Sequence, residues 1–215
     1  QSVSISGHRK ADDPRNELFF SYIQILKKLK PKAFVLENVP GLVGLFGGKL
    51  KDALLDAFNR AGYTTNYEIL TASNFGVPQR RKRVFFVGLL KSKKKFQFPE
   101  GNGKIITCED AISDLPEFEL ENGIDYPFPS ETNYQKIMRK TSKGVFNHQI
   151  TKHTDKTVKT IALVPDGGNY KDLPKKLQET RKVNIAWTRL DSQKPSFTID
   201  TGHRHHFHYK YNRVP

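Results

Sequence analysis

The chain has 215 residues, a formal net charge of +14, 36% hydrophobic content and a single cysteine. That length makes one large domain or two small ones, and 15 Phe and 8 Tyr supply apolar bulk for a core. One cysteine excludes an internal disulfide framework and fits a reducing compartment. No apolar run approaches the ~18 residues of a membrane span, and the basic balance favours a polyanionic partner, with nucleic acid first.

Residues 1–16 are rich in Ser, Gly and charge and read as a loop. In "NELFFSYIQILKKLK" (16–30), Leu18, Phe19, Tyr22, Ile25, Leu26 and Leu29 recur at helical spacing, and Pro31 ends the helix. "AFVL" follows as a short buried strand that stops on Glu37 and Asn38 before Pro40 and Gly41. An acid at a buried strand end either caps a neighbouring helix or has chemistry to do. "GGKLKDALLDAFNRAG" (47–62) is a second amphipathic helix, with Leu50, Leu54, Leu55 and Phe58 inward and Gly62 as its C-cap. "YTTNYEIL" alternates as a strand, "ASNFGVPQRRKR" is a loop and "VFFVGLL" a buried strand. Strand and helix alternate, which predicts an α/β sheet.

Composition changes at "KSKKKFQFPEGNG" (91–103), a linker by its Lys, Pro and Gly. In "TCEDAISDLP", Thr107 is a candidate N-cap with Asp110 three residues on. Beyond it, periodicity is weak and turns are frequent, which predicts a small, irregular, mostly β domain. The domain boundary is expected near residue 98, giving domains over 1–98 and 99–215. The opening "QSVSISG" and the closing "YNRVP" are abrupt, so the ends are expected to be cut from a longer protein or to belong to a split one.

Three features converge in order: "QSVSISGHRKADDPRNELFF", the strand-end "ENV" at 37–39, and "NFGVPQRRKRVFFVG". Together they resemble the DNA (cytosine-5) methyltransferases of bacterial restriction-modification systems. Gln1 falls on the Gln of that family's Pro-Cys-Gln, "QRRKR" at 79–83 on its Gln-x-Arg-x-Arg, and "WTRLDSQKPSFTI" with "YNRVP" on the stretch before its closing motifs. The resemblance covers nearly the whole chain. It implies part of a Rossmann-like S-adenosylmethionine-dependent catalytic domain over 1–98, then a target recognition domain over 99–215. It further implies double-stranded DNA as partner, S-adenosylmethionine as cofactor, a monomer when complete and a bacterial cytoplasm.

The family's nucleophilic Cys would precede Gln1, and its cofactor motifs lie outside these residues. The 215 residues alone are therefore expected to be inactive. The alternative is a non-catalytic DNA-binding subunit of a split methyltransferase, with a complementary subunit as partner.

Carbon 5 of cytosine is a poor nucleophile, and the family activates it by adding a thiolate to carbon 6. A carboxyl that holds a proton at N3 eases that addition. The resemblance gives this work to Glu37, with Asn38 positioning it and holding the next loop. Arg81 and Arg83 alternate along an extended segment, Arg83 toward the base and Arg81 in support. Arg80 and Lys82 are left as a solvated basic edge.

The target base must leave the duplex. Gln1, Ser4, Ser6 and Arg15 match the loop that closes on DNA, against the plainer reading of the serines as loop solvation. Leu18 falls where the family packs a side chain near the cofactor, although periodicity alone makes it a helix core residue. In the second half, "GGNY" (167–170), "WTRL" (187–190) and "DTGHRHHFHY" (200–209) are candidate DNA contacts, with Arg189 and Arg204 as guanine readers. His203, His205, His206 and His208 lack a ligand set of metal-binding spacing and are expected to make polar contacts. Cys108 is expected to be structural.

Overall fold

The computed structural model describes residues 17–178, 187–199 and 206–213. The chain divides into two compact units, one from Gln1–Thr71 with Lys82–Gly101, the other from Ala72–Arg81 with Asn102–Pro215.

The first unit is a three-stranded sheet with helices. α1 (Glu17–Leu29) leads to β1 (Ala33–Asn38), then to the short α2 (Gly41–Gly44) and to α3 (Lys49–Arg60), β2 (Tyr63–Thr71) and β3 (Lys82–Leu90). β3 lies between β1 and β2 and is antiparallel to both, so β1 and β2 point the same way. Glu37 stands opposite Phe85, and Tyr67 opposite Phe86. Period-2 alternation places Phe34, Val84, Phe86 and Tyr63 on the core face, where Ile23 and Leu26 of α1 and Leu54 and Phe58 of α3 cover them. The Phe34 ring lies 4.6 Å from that of Phe58 and 5.1 Å from that of Tyr63. Such contacts are worth roughly 0.5–1.5 kcal/mol each beyond area burial. Phe34 also sits over Gly88, where an added Cβ would lie 2.1 Å from the ring. That close approach is why a glycine interrupts the apolar run of β3.

The helices and strands of this unit follow the sequence pattern. α3 ends at Arg60 with Ala61, rather than Gly62, as its C-cap, and Gly62 follows at φ +91, a left-handed position that suits glycine. β1 differs from expectation. It is an edge strand among the described residues rather than a buried one, and its burial alternates, with Phe34 buried and Val35 61% exposed. The run "AFVL" looked uniformly buried because apolar residues occupy both faces.

The second unit is irregular, as expected, but it is not mostly β. Its described residues hold α4 (Cys108–Ile112), α5 (Asn133–Arg139), α6 (Asp155–Ala162) and α7 (Lys175–Gln178). Against these stand only the two-residue strands β4 (Thr188–Arg189) and β5 (His206–Phe207), which pair in parallel. Side-chain caps start three of these short helices. Thr107 and Asp110 form a capping box on α4, Thr132 and Gln135 another on α5, and Thr154 caps α6. Each cap contributes about 1 kcal/mol. The Thr-x-x-Gln spacing at 132–135 was the missed signal. Ile161, Val164, Leu173, Trp187 and Phe207 form the unit's core. No helix among the described residues is long and apolar enough to cross a membrane.

Candidate functional site

Glu37 is the fifth residue of the edge strand β1, and Arg83 is the second of the central strand β3. Because Glu37 pairs with Phe85, Arg83 is its diagonal neighbour on the same face of the sheet. The two side chains meet there, with Arg83 Nε 2.8 Å from Glu37 Oε1. Arg83 Nη1 donates to the Lys82 carbonyl at 2.8 Å, which fixes the guanidinium against its own strand. The Glu37 side chain is 48% exposed and that of Arg83 only 20%. The carboxylate therefore faces outward, braced from behind. The expected burial of Glu37 is not found in the described residues, since its strand lies at the sheet edge.

Asn38 projects to the opposite face, and its Oδ1 accepts from the Val39 N–H at 2.8 Å. That bond opens the turn at Pro40 and ties the strand end to the following loop. Arg81 belongs to the second unit, where its carbonyl accepts from the Ala72 N–H at 2.9 Å. Arg80 and Lys82 are exposed, in keeping with a solvated edge.

Leu18 is 67% exposed on α1, which overturns its reading as a helix core residue. One apolar side chain does not by itself make a site for a charged, polar cofactor. Gln1, Ser4, Ser6, Arg15, His203, Arg204 and His205 lie outside the described residues. Among the described residues, no three His, Cys, Asp or Glu side chains gather as a metal site would require.

The second unit corrects the reading of Arg189. This side chain is 4% exposed and all five of its N–H donors are used. Nε donates to the Val164 carbonyl at 2.7 Å, and Nη2 to the Ile161 carbonyl at 2.8 Å and Asn212 Oδ1 at 2.9 Å. Nη1 donates to the carbonyls of His208 and Tyr211 at 2.8 and 3.0 Å. Arg189 thus ties the C-terminal end of α6 to the 208–212 turn and has no donor left for a guanine edge. Its apolar neighbours Trp187 and Leu190 were the sequence signal for burial.

The stretch around β5 is also internal where it is described, whereas "GGNY" is exposed to half-buried. His206 and Phe207 form β5, and both are buried. His208 is buried and accepts at Nδ1 from the N–H groups of Lys210 and Tyr211, and burial, then Arg213 and Arg189, push its imidazole down to about 3. In "GGNY", Gly167 (φ +69) packs against the Asp191 side chain, and Asn169 accepts from the Lys171 N–H at 3.0 Å.

Cys108 is 3% exposed, and burial, then Asp191 and Asp166, push its thiol up to about 11. A thiolate is the reactive form, so Cys108 is a poor nucleophile. It opens α4 and is structural.

The described site is thus an outward carboxylate braced by an arginine, able to take a hydrogen bond from or give one to a polar ring. Comparison with known proteins gives it a context. Residues 1–213 match the family model described as C-5 cytosine-specific DNA methylase. The Type II methyltransferase M.DdeI of Desulfomicrobium norvegicum is 35% identical over 237 aligned positions, covering 99% of this chain and 57% of that protein. The Type II methyltransferase M1.HphI of Haemophilus parahaemolyticus is 32% identical over 210 positions, covering 97% and 51%. The chain thus spans about half the length of these relatives. In fold, it is similar to an E. coli prophage-encoded protein solved as a DNA modification methyltransferase. The TM-score is 0.64 at 21% identity, over 94% of this chain and 61% of that one. The chain belongs to the C-5 cytosine-specific DNA methylase family.

Proposed function

We propose that the complete protein is a DNA (cytosine-5) methyltransferase that transfers the methyl group of S-adenosylmethionine to a flipped cytosine in a specific duplex sequence. The observation that carries this reading is the Glu37–Arg83 pair. Arg83 engages the Glu37 carboxylate at Oε1, and the exposed part of that carboxylate is assigned to the ring. Glu37 holds the proton at N3 of the cytosine, which lowers the barrier to thiolate addition at carbon 6. Arg83 keeps that carboxyl in place, and its guanidinium is assigned to the O2 of the base as well. Asn38 fixes the strand end through Val39. Arg81 has a supporting role.

The nucleophile is not Cys108, whose burial and raised thiol argue against it. We assign it to a residue outside these 215, so activity belongs to the complete protein. Leu18, exposed on α1, is assigned to the cofactor side only as one member of a site that residues outside these 215 complete. Gln1, Ser4, Ser6 and Arg15 close on the DNA. Residues 99–215 act as the target recognition domain, with Arg204 reading a guanine, while Arg189 holds that domain together.

The test uses the complete protein, S-adenosylmethionine with a labelled methyl group and mixed duplex DNA. Label on carbon 5 of cytosine, confined to one short sequence, is expected. No transfer, with duplex binding retained, would instead favour a non-catalytic subunit. Arg204→Ala should relax sequence choice; an equal loss of affinity for every sequence would make Arg204 a phosphate contact.

A further inference from the structure

The three-stranded sheet has two ends. Glu37 and Arg83 mark one. At the other, β1 and β2 begin and β3 stops, and backbone bonds hold these termini together. The Leu90 N–H donates to the Lys32 carbonyl and the Lys91 N–H to the Gly62 carbonyl, both at 2.9 Å. Two lysine groups converge there. Lys27, Lys28, Lys30 and Lys32 come from the end of α1 and the approach to β1, and Lys91, Lys93, Lys94 and Lys95 from the turn after β3. All eight are exposed. None is in an ion pair among the described residues. The chain that meets here carries no acid: residues 18–36, 57–67 and 84–99 contain neither Asp nor Glu.

The helix dipole accounts for Lys27 and Lys28 in the last turn of α1. It does not account for the second group, which stands on a built turn rather than a loose tail. Ser92 Oγ donates to the Lys94 carbonyl at 2.8 Å and accepts from the Lys94 N–H at 3.0 Å. Thr64 Oγ1 donates to the Ser92 carbonyl, and Asn66 Nδ2 to the Phe96 carbonyl at 2.8 Å. Both lysine groups thus stand on backbone that hydrogen bonds fix at this end of the sheet, and those segments carry no acid.

We propose that this end of the sheet is a second, sequence-independent contact for duplex DNA, separate from the cytosine site. At roughly 3.3 Å per strand residue, the eight steps from Arg83 to Lys91 put the patch about 25 Å from the Glu37–Arg83 pair. It grips the backbone of DNA away from the target base, releases counterions, and keeps the protein on long DNA between sites. This rests on the methyltransferase reading for the choice of DNA as the polyanion.

The experiment compares the complete protein with its Lys93→Gln/Lys94→Gln/Lys95→Gln variant. Fluorescence anisotropy with a labelled duplex lacking the target sequence, over a salt series, reads the patch without any catalysis. The slope of log affinity against log salt should shrink by about 2–3 in the variant, close to one per lysine. Methylation of long DNA should fall, while a short duplex holding only the target keeps its kcat/KM. Lys27→Gln/Lys28→Gln/Lys32→Gln should reproduce the effect from the other flank.

Unchanged slopes in both variants, in a protein that methylates normally, would overturn this proposal and leave the enzyme assignment standing. An equal fall on short and long DNA would put these lysines in the catalytic cleft and overturn it as well. Stronger competition by duplex RNA than by duplex DNA would assign the patch to RNA. A complete protein that neither binds nor methylates duplex DNA would defeat both readings.

Discussion

Arg83 and Arg189 lie in different units and use their guanidinium groups in opposite ways. Arg83 has one ion pair and one carbonyl, and braces a carboxylate that faces outward. Arg189 spends all five donors inside its unit, mostly on backbone carbonyls. The first belongs to a regular sheet, where strand register alone places the pair. The second belongs to an irregular unit, where little regular pairing exists and a buried side chain takes over its task. Residue type is therefore a poor guide to role, and the fate of the donors decides between chemistry and architecture.

The sharpest break in that contrast is Glu37→Gln in the complete protein. Loss of the carboxyl should cut methyl transfer about 10²–10⁴-fold, with duplex binding and unfolding midpoint near wild type. Full activity would remove Glu37 from the chemistry. Arg189→Met should behave in the reverse sense. Orphaned carbonyls cost roughly 1–3 kcal/mol each, so a loss of about 4 kcal/mol is expected. Hydrogen exchange should show it in the amides of α6 and the 208–212 turn, with β1 and β3 protected as before. Equal loss of protection in both units would mean that Arg189 supports the whole chain.

Acidification should also separate the units. His208 is held neutral in the fold at about 3, against an ordinary value of 6.5, so the unfolded chain takes up its proton first. Stability from this group is complete above pH 6.5 and declines as pH falls toward 3. At pH 5 the decline is about 2 kcal/mol. His208→Gln should flatten that limb in a pH series of denaturant melts, and an unaltered limb would place the sensitivity elsewhere. The smallest effect is expected from Thr107→Ala. Losing the α4 capping box should cost about 1 kcal/mol, seen as a lower unfolding midpoint with methyl transfer unchanged.

The sheet unit was legible because its period-2 and 3.6-residue patterns are long. α1, α3, β2 and β3 all lie close to where the pattern puts them. β1 misled because an edge strand in this fold carries apolar residues on both faces, Val35 among them. The second unit was less legible. Its strands are two residues long and its helices are set by single caps, so no run is long enough to show a period. At the site, "ENV" and "QRRKR" pointed to Glu37, Asn38, Arg81 and Arg83 by resemblance. Register, which no single-strand pattern reveals, brings Glu37 and Arg83 to 2.8 Å. Arg189 was misread because saturation by backbone carbonyls depends on the distant segments at 161–164 and 208–212.

The central claim is that Glu37 and Arg83 act as one catalytic unit. A double-mutant cycle of methyl transfer with Glu37→Gln, Arg83→Gln and the double variant of the complete protein tests it most directly. The account predicts that the double variant is hardly slower than Glu37→Gln alone, because Arg83 acts largely through the carboxyl it holds. Fully additive losses would contradict it and show that the two residues serve transfer independently.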